Sequence, residues 1–346
     1  MKLMHALKIK LYIFFNTKIG RLLLRALSNF VYVQNLPKSK NNKNKKFLVA
    51  ITIDTESGYA KKNEERHWQI LNPEAHIGFY KGIENWRNLL NGQDIKATFF
   101  LSTNYLSAKN EDYRKIADQL KLLLKEKHEI GLHLHPDSDL ALQLCLKKKF
   151  DATSAKFYSK EEIKQIVALC KDLVKKNLRI AVFSFRWGNW ALCTKAVEAL
   201  QESGFKVDSS ATPGIKGHAN DKMAYDWSEV NLHYPWRLSL NDYQNTKKQN
   251  SKILEIPIAT FNFFGLVLRA DPVYSEMLNA AFDYYYKNAD RSKKPFVFVV
   301  ISHSIEGTYE DGTPTKVIKD MEKFIKHAKK SDVEFVTMEE ACNRVR

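Results

Sequence analysis

From residue 47 to the C-terminus the chain repeats one pattern, a short run rich in Val, Ile, Leu and Phe followed by a stretch with helical spacing. The runs fall at 47–53, 96–102, 129–135, 180–185, 206–209, 253–258, 296–302 and 333–337. Helices are expected near 76–91, 111–126, 159–176, 191–203, 273–288 and 315–330. Several runs are nearly continuous in apolar residues rather than alternating, as in parallel strands buried on both faces. Seven or eight such units over residues 47–346 predict a distorted (β/α)7 TIM-like barrel, with one unit irregular or missing. A doubly wound open sheet is the alternative. Residues 211–252 break the rhythm, with Pro213, Gly214, Trp227, Pro235, Trp236 and a polar run after Asn241. They read as a long excursion over the barrel mouth, where such loops carry substrate contacts.

The formal charge of +16 invites a nucleic-acid reading, but its distribution argues against one. Eleven Lys and Arg residues precede the first acid, Asp54, so the rest of the chain carries only +5. The basicity belongs to an arm. Residues 1–33 interleave basic residues with Leu3, Leu7, Leu11, Phe14, Phe15, Ile19, Leu22, Leu23, Leu27 and Phe30, roughly one helical face. The longest apolar run there, 11–15, is far short of the roughly 20 residues that cross a bilayer. A basic amphipathic arm suits an anionic membrane surface, and packing on the protein's own core is the competing reading. Residues 36–46 are polar and read as a linker, which divides the chain into an arm and linker, 1–46, and a barrel domain, 47–346. With no evident export signal, and with Cys145, Cys170, Cys193 and Cys342 scattered without a CxxC pair, a reducing cytoplasm is expected.

The chemistry lies where the runs end. The first ends Thr52-Ile53-Asp54-Thr55-Glu56, the third His133-Leu134-His135-Pro136-Asp137, and the fourth Arg186-Trp187-Gly188-Asn189-Trp190. The fifth ends Asp208-Ser209-Ser210 and the seventh Ser302-His303-Ser304-Ile305-Glu306. Taken singly, each has a bland reading: a cap, a turn, a polar loop, a core histidine. Five strand ends together predict one site, because parallel barrel strands converge at their C-terminal ends. His133 and His135 stand two apart on an extended segment and point the same way. Two imidazoles and a carboxylate suit a divalent metal, a further carboxylate can act as base, and a separate imidazole as acid. That set fits an amide or ester hydrolase. No Gly-x-Ser-x-Gly elbow supports a serine hydrolase.

In order and spacing these strand ends resemble the polysaccharide deacetylase family, the NodB-homology carbohydrate esterases. The resemblance spans roughly 47–340 through Thr-Ile-Asp-Thr-Glu, His-Glu-Ile-Gly-Leu-His, Phe-Arg-Trp-Gly-Asn-Trp, Asp-Ser-Ser and Ser-His-Ser. It implies a distorted barrel, one divalent metal of which zinc is the commonest, and hydrolysis of N-acetyl groups on glycans. Carried over, Asp54 is the general base, Glu56 and His133 are metal ligands, and His303 is the general acid. Arg186 holds Asp54, and Asp208 supports the charged groups, His303 among them. The family places two histidines four apart in its second motif, whereas position 137 here is Asp. His135 is therefore expected as the third ligand, with Asp137 as the lesser candidate.

Trp187, Asn189 and Trp190, with Trp227 and Trp236, are expected at the mouth, where aromatic faces suit sugar rings. The expected substrate is an N-acylated sugar, in a membrane-linked or nucleotide-linked precursor of surface polysaccharide, met at the inner face of the membrane. The competing functions are an amidohydrolase acting on a non-sugar amide, a catalytically inactive glycan binder and a nucleic-acid binder.

Overall fold

A computed structural model of the chain describes residues 30–37, 45–62, 69–218 and 220–346. The basic segment through residue 29 and residues 38–44 of the expected linker lie outside the described residues. The main strands are β1 (Phe47–Thr55), β2 (Thr98–Ser102), β3 (Glu129–Leu134), β4 (Ser184–Trp187), β5 (Val207–Asp208), β6 (Trp236–Arg237), β7 (Leu254–Glu255), β8 (Thr260–Phe263), β9 (Leu266–Arg269), β10 (Phe296–His303) and β11 (Val333–Phe335). Among the described residues eight α-helices accompany them: α1 (Ile83–Gly92), α2 (Asn110–Lys125), α3 (Leu140–Leu146), α4 (Lys160–Leu178), α5 (Thr194–Glu202), α6 (Glu276–Asn288), α7 (Lys316–Ala328) and α8 (Met338–Val345).

One sheet runs in the order β6-β7-β5-β4-β3-β2-β1-β10, with β11 on the first residues of β1. All pairings are parallel except β6 with β7. The sheet curls until a single bridge, Ile258 with Val299, joins its two ends. Ala259 N donates to Val299 O at 3.1 Å beside that bridge. The result is a barrel closed by its weakest seam, as expected for the distorted (β/α)7 form. All nine residues of β1 are buried, which explains why its sequence shows no alternation. Phe47 sits among Phe282, Tyr286, Phe296 and Phe298. Burying each such ring contributes roughly 1.5–3 kcal/mol.

The helices form where their ends are satisfied. Ser159 and Glu162 make a reciprocal capping box at the start of α4, and Thr337 and Glu340 do the same for α8. The expected run 180–185 begins to pair only at Ser184, because Arg179 closes α4 in the left-handed region (φ 57°) and residues 180–183 lead the chain back to the sheet. The hairpin β8–β9 and helices α3 and α8 were not expected. Residues 211–252 hold no α-helix, in keeping with an excursion, although Trp227 and Trp236 within it are fully buried.

Residues 30–37 belong to the folded body. Val31, Val33 and Leu36 are buried in the main core, and Tyr32 exchanges backbone hydrogen bonds with Asn262 on the hairpin. No helix among the described residues is long and apolar enough to cross a membrane.

Candidate active site

Register brings the polar strand ends to one level. Asp54 pairs with His303 across β1 and β10, Ser102 with His133 across β2 and β3, and His133 with Arg186 across β3 and β4. Side chains at matched register on parallel strands share a layer of the barrel interior. The strand ends therefore converge as expected.

Arg186 is fully buried and organises Asp54. Its Nη1 donates to Asp54 Oδ1 at 2.6 Å and to Thr52 Oγ1 at 2.9 Å. Its Nε donates to Ser209 O at 2.8 Å and its Nη2 to Ser209 Oγ at 3.0 Å. The guanidinium stacks 4.4 Å from the Phe100 ring centre. Four hydrogen bonds and an aromatic face fix the fork, so Asp54 is held through one oxygen. The other, Oδ2, lies 4.0 Å from both His133 Nε2 and His303 Nε2.

Glu56, His133 and His135 form the second group. Glu56 Oε1 lies 2.8 Å from His133 Nε2 and 3.0 Å from His135 Nε2. His133 Nδ1 is 3.0 Å from the Arg186 carbonyl, which can only accept. That contact puts the ring proton on Nδ1 and leaves the Nε2 lone pair facing a carboxylate. Two electron-rich atoms at 2.8 Å need a positive charge between them. The one donor atom that each residue offers lies within 4.8 Å of the others, and all three residues are buried. Without a metal, protons take that role. Burial disfavours charge on His135, but the Glu56 carboxylate outweighs it and pushes the imidazole up to about 10. Burial likewise raises Glu56, and the two imidazoles overcome it and hold its carboxyl well below the usual range. This donor set fits a divalent metal. Asp137 does not join it. Its Oδ1 lies 3.8 Å from His135 Nδ1, on the far side of the ring, because Pro136 ends the strand and carries residue 137 behind the imidazole. From there its charge adds to that of Glu56 in favouring the protonated His135 ring.

His303 is the half-buried member of the site, with its Nδ1 3.1 Å from Glu306 Oε2. Glu306 is fixed in turn by Ser302 Oγ at 2.8 Å and His303 N at 2.9 Å. Burial lowers the His303 pKa, but the Glu306 charge overcomes this and raises it to about 10. The imidazole is therefore protonated through neutral pH, with its proton available at Nε2. The carboxylate expected here was Asp208, and it is elsewhere. Asp208 makes no contact with His303; it accepts from Ser210 Oγ at 2.8 Å, behind Arg186. Beside it Glu255 is pushed well up by burial and by the Asp208 charge. Strand β5 ends one register short of the catalytic layer: Asp208 pairs with Phe185, not with Arg186.

The tryptophans divide by role. Trp187 is fully buried and cannot meet substrate; its Nε1 donates to Thr153 O at 2.7 Å. Its side chain alternates with that of Arg186 and so faces the opposite side of β4. Trp190 lies beside His303, and it and Asn189 both have positive φ (56° and 49°), an uncommon conformation for so bulky a residue as Trp. Trp227 Nε1 fastens that loop by donating to Trp190 O at 2.9 Å. The loop must approach closely: a Cβ at Gly188 would stand 2.6 Å from His135 Nε2. The Trp190 ring lies 6.3 Å from the His303 ring.

The sequence reading missed Glu306, Asp271, Glu255 and Arg269 as members or neighbours of the site. Glu306 was findable, since a one-turn helix after His303 returns residue 306 to it. The others depend on the hairpin and on β7, which had no motif signal.

The sequence model of the polysaccharide deacetylase family matches residues 77–207. A Mycobacterium smegmatis protein described as a polysaccharide deacetylase has a similar structure, with a TM-score of 0.54, 16% identity, and 90% of this chain and 93% of that one covered. So has PuuE allantoinase (0.56, 13%, 90% and 94%). A Parabacteroides distasonis protein described as a glycoside hydrolase/deacetylase is similar too (0.57, 13%, 90% and 72%). No curated protein sequence matches. The family match covers the strands that carry His133, His135 and Arg186, and the fold brings Asp54, Glu56 and His303 to the same layer. Residues 77–207 thus carry the sequence pattern of the polysaccharide deacetylase family, in a chain whose fold is similar to that of proteins so described.

Proposed function

We propose that the protein removes an N-acetyl group from a sugar, using Asp54 as general base and His303 as general acid around a divalent metal held by Glu56, His133 and His135. The observation that carries this reading is the placement of Asp54 Oδ2 4.0 Å from His133 on one side and 4.0 Å from His303 on the other. A base, an acid and a ligand cluster then surround one small volume.

When bound, a divalent ion at this cluster would lower the pKa of its water and polarise the acyl oxygen. Arg186 holds Asp54 oriented to take a proton from attacking water. The water oxygen bonds to the acyl carbon and the C–N bond breaks. His303, protonated at neutral pH, passes its Nε2 proton to the departing nitrogen, giving a carboxylic acid and a free amine. Asp54 then gives its proton to solvent and His303 takes one from solvent, with the Glu306 charge favouring the imidazolium that results. Asn189 and Trp190 border the substrate, and zinc is the metal we assign.

The substrate we assign is a precursor of surface polysaccharide, lipid-linked or otherwise, met at a membrane surface through the basic segment 1–33. Acetate release from a panel of N-acetyl sugars tests the activity. Turnover by the metal-reconstituted protein, falling at least 100-fold in Asp54→Asn and His303→Ala, is expected. Hydrolysis of simple amides without any N-acetyl sugar would favour the second reading, a non-sugar amidohydrolase, which the similarity to an allantoinase supports.

A further inference from the structure

Arg269 ends strand β9 and reaches the site from the hairpin. Its guanidinium carbon lies 3.7 Å from the Trp190 ring centre, and Nη1 donates to Tyr225 Oη at 3.0 Å. Its Nε is buried with no partner. No described carboxylate forms an ion pair with it, unlike Arg186 with Asp54 or Arg87 with Glu126. The nearest acid in sequence, Asp271, is pushed up to about 8 by burial and the Glu306 charge, and so does not cancel the guanidinium at neutral pH. A half-buried arginine left this way carries a desolvation cost unless an anion completes it.

Two neighbours point the same way. Asn189 Nδ2 and Trp190 Nε1 are also buried donors without partners. All three are buried N–H donors, which an acceptor-rich ligand would satisfy. The arginine also covers one face of Trp190, whose ring is itself 6.3 Å from His303. The group offered to substrate at this edge is the cation rather than a bare aromatic platform, and a planar fork suits carboxylate and phosphate alike.

We propose that Arg269 binds an oxyanion of the substrate, a carboxylate or a phosphate carried on the acylated sugar or on its neighbour. The subsite rests on the sugar-deacetylase reading for the ring that carries the anion, but not for the anion itself.

Calorimetric titration of the folded, metal-loaded protein with glucuronate and with glucose 1-phosphate tests it, since neither probe has an acyl group to lose. Saturable binding of at least one, weakened tenfold or more in Arg269→Gln and partly kept in Arg269→Lys, is expected. The stronger probe tells a carboxylate site from a phosphate site. Acetate release from neutral N-acetylglucosamine oligomers supplies the control. Arg269→Gln should lose at least tenfold more turnover of an acidic N-acetyl sugar than of the neutral oligomers. Should no N-acetyl sugar be hydrolysed while a probe still binds through Arg269, the activity reading fails and the subsite stands. Absence of binding by both probes, binding unchanged in Arg269→Gln, or equal loss on neutral and acidic substrates would overturn the proposal and leave Arg269 a buttress of Trp190. If the Gln variant does not fold, the Lys variant and the wild-type titrations decide alone.

Discussion

At the scale of single residues the site works by pairing each charge with one partner of fixed geometry. Arg186 spans Asp54, Thr52 and Ser209 at once, which a lysine cannot do from a single ammonium. Arg186→Lys should therefore cut kcat by on the order of 100-fold while leaving bound metal in place, checked by steady-state kinetics beside metal analysis. Glu306 sets the charge on His303, the proposed acid. The alkaline limb of kcat/KM reports loss of the His303 proton, so activity falls as pH rises through that pKa. Glu306→Gln removes the main charge that raises it, and the limb should move down by about one pH unit or more. Asp208→Asn should leave the limb where it is, because Asp208 does not touch His303. This division was partly legible. The types and order of the groups stood in the sequence, as did the ambiguity between His135 and Asp137. Which carboxylate serves which histidine did not, because it depends on a register offset at β5 and a single turn after β10.

Among the elements, the loop after β4 matters most. It holds two residues in the left-handed region, and Gly188 lets it press against His135. Gly188→Ala should displace the imidazole and lower both metal occupancy and activity, whereas Trp227→Phe should loosen only the loop, through loss of the bond to Trp190 O. Metal analysis separates the two: occupancy falls in the first and persists in the second. The β8–β9 hairpin was illegible for a physical reason. Its turn places Phe264 (φ 46°) and Gly265 (φ 79°) in left-handed conformations that Asn-Gly usually supplies. An apolar run without the expected turn residue reads as one strand. Phe264 is retained there against its preference, stacked on Phe30 at 5.0 Å.

Over the whole molecule, the barrel is stapled by the chain ahead of it. Residues 31–36 pack on the core, and buried His233 links them to α6, with its Nε2 3.1 Å from Gln34 O and its Nδ1 2.9 Å from Tyr285 Oη. Burial lowers the pKa of His233 to about 4, and that of His128 likewise. An unfolded histidine takes its proton near 6.5, so stability is complete above that pH and is lost as pH falls from there toward 4. The loss should be on the order of 3 kcal/mol for each group. Urea midpoints at pH 7 and pH 4.5 measure it, and His233→Gln should show the smaller difference. The fold class was legible because parallel strands buried on both faces leave long apolar runs. The staple was not, because Val31 and Val33 read as the end of the basic arm and Leu36 as the first residue of a linker. The proposed metal centre of Glu56, His133 and His135 is measured by the bound metal per chain. Near one equivalent in the wild type and in Asp137→Asn, with loss in His133→Ala and His135→Ala, is the predicted result. Loss in Asp137→Asn with retention in His135→Ala, or no metal in the reconstituted wild type, would contradict it.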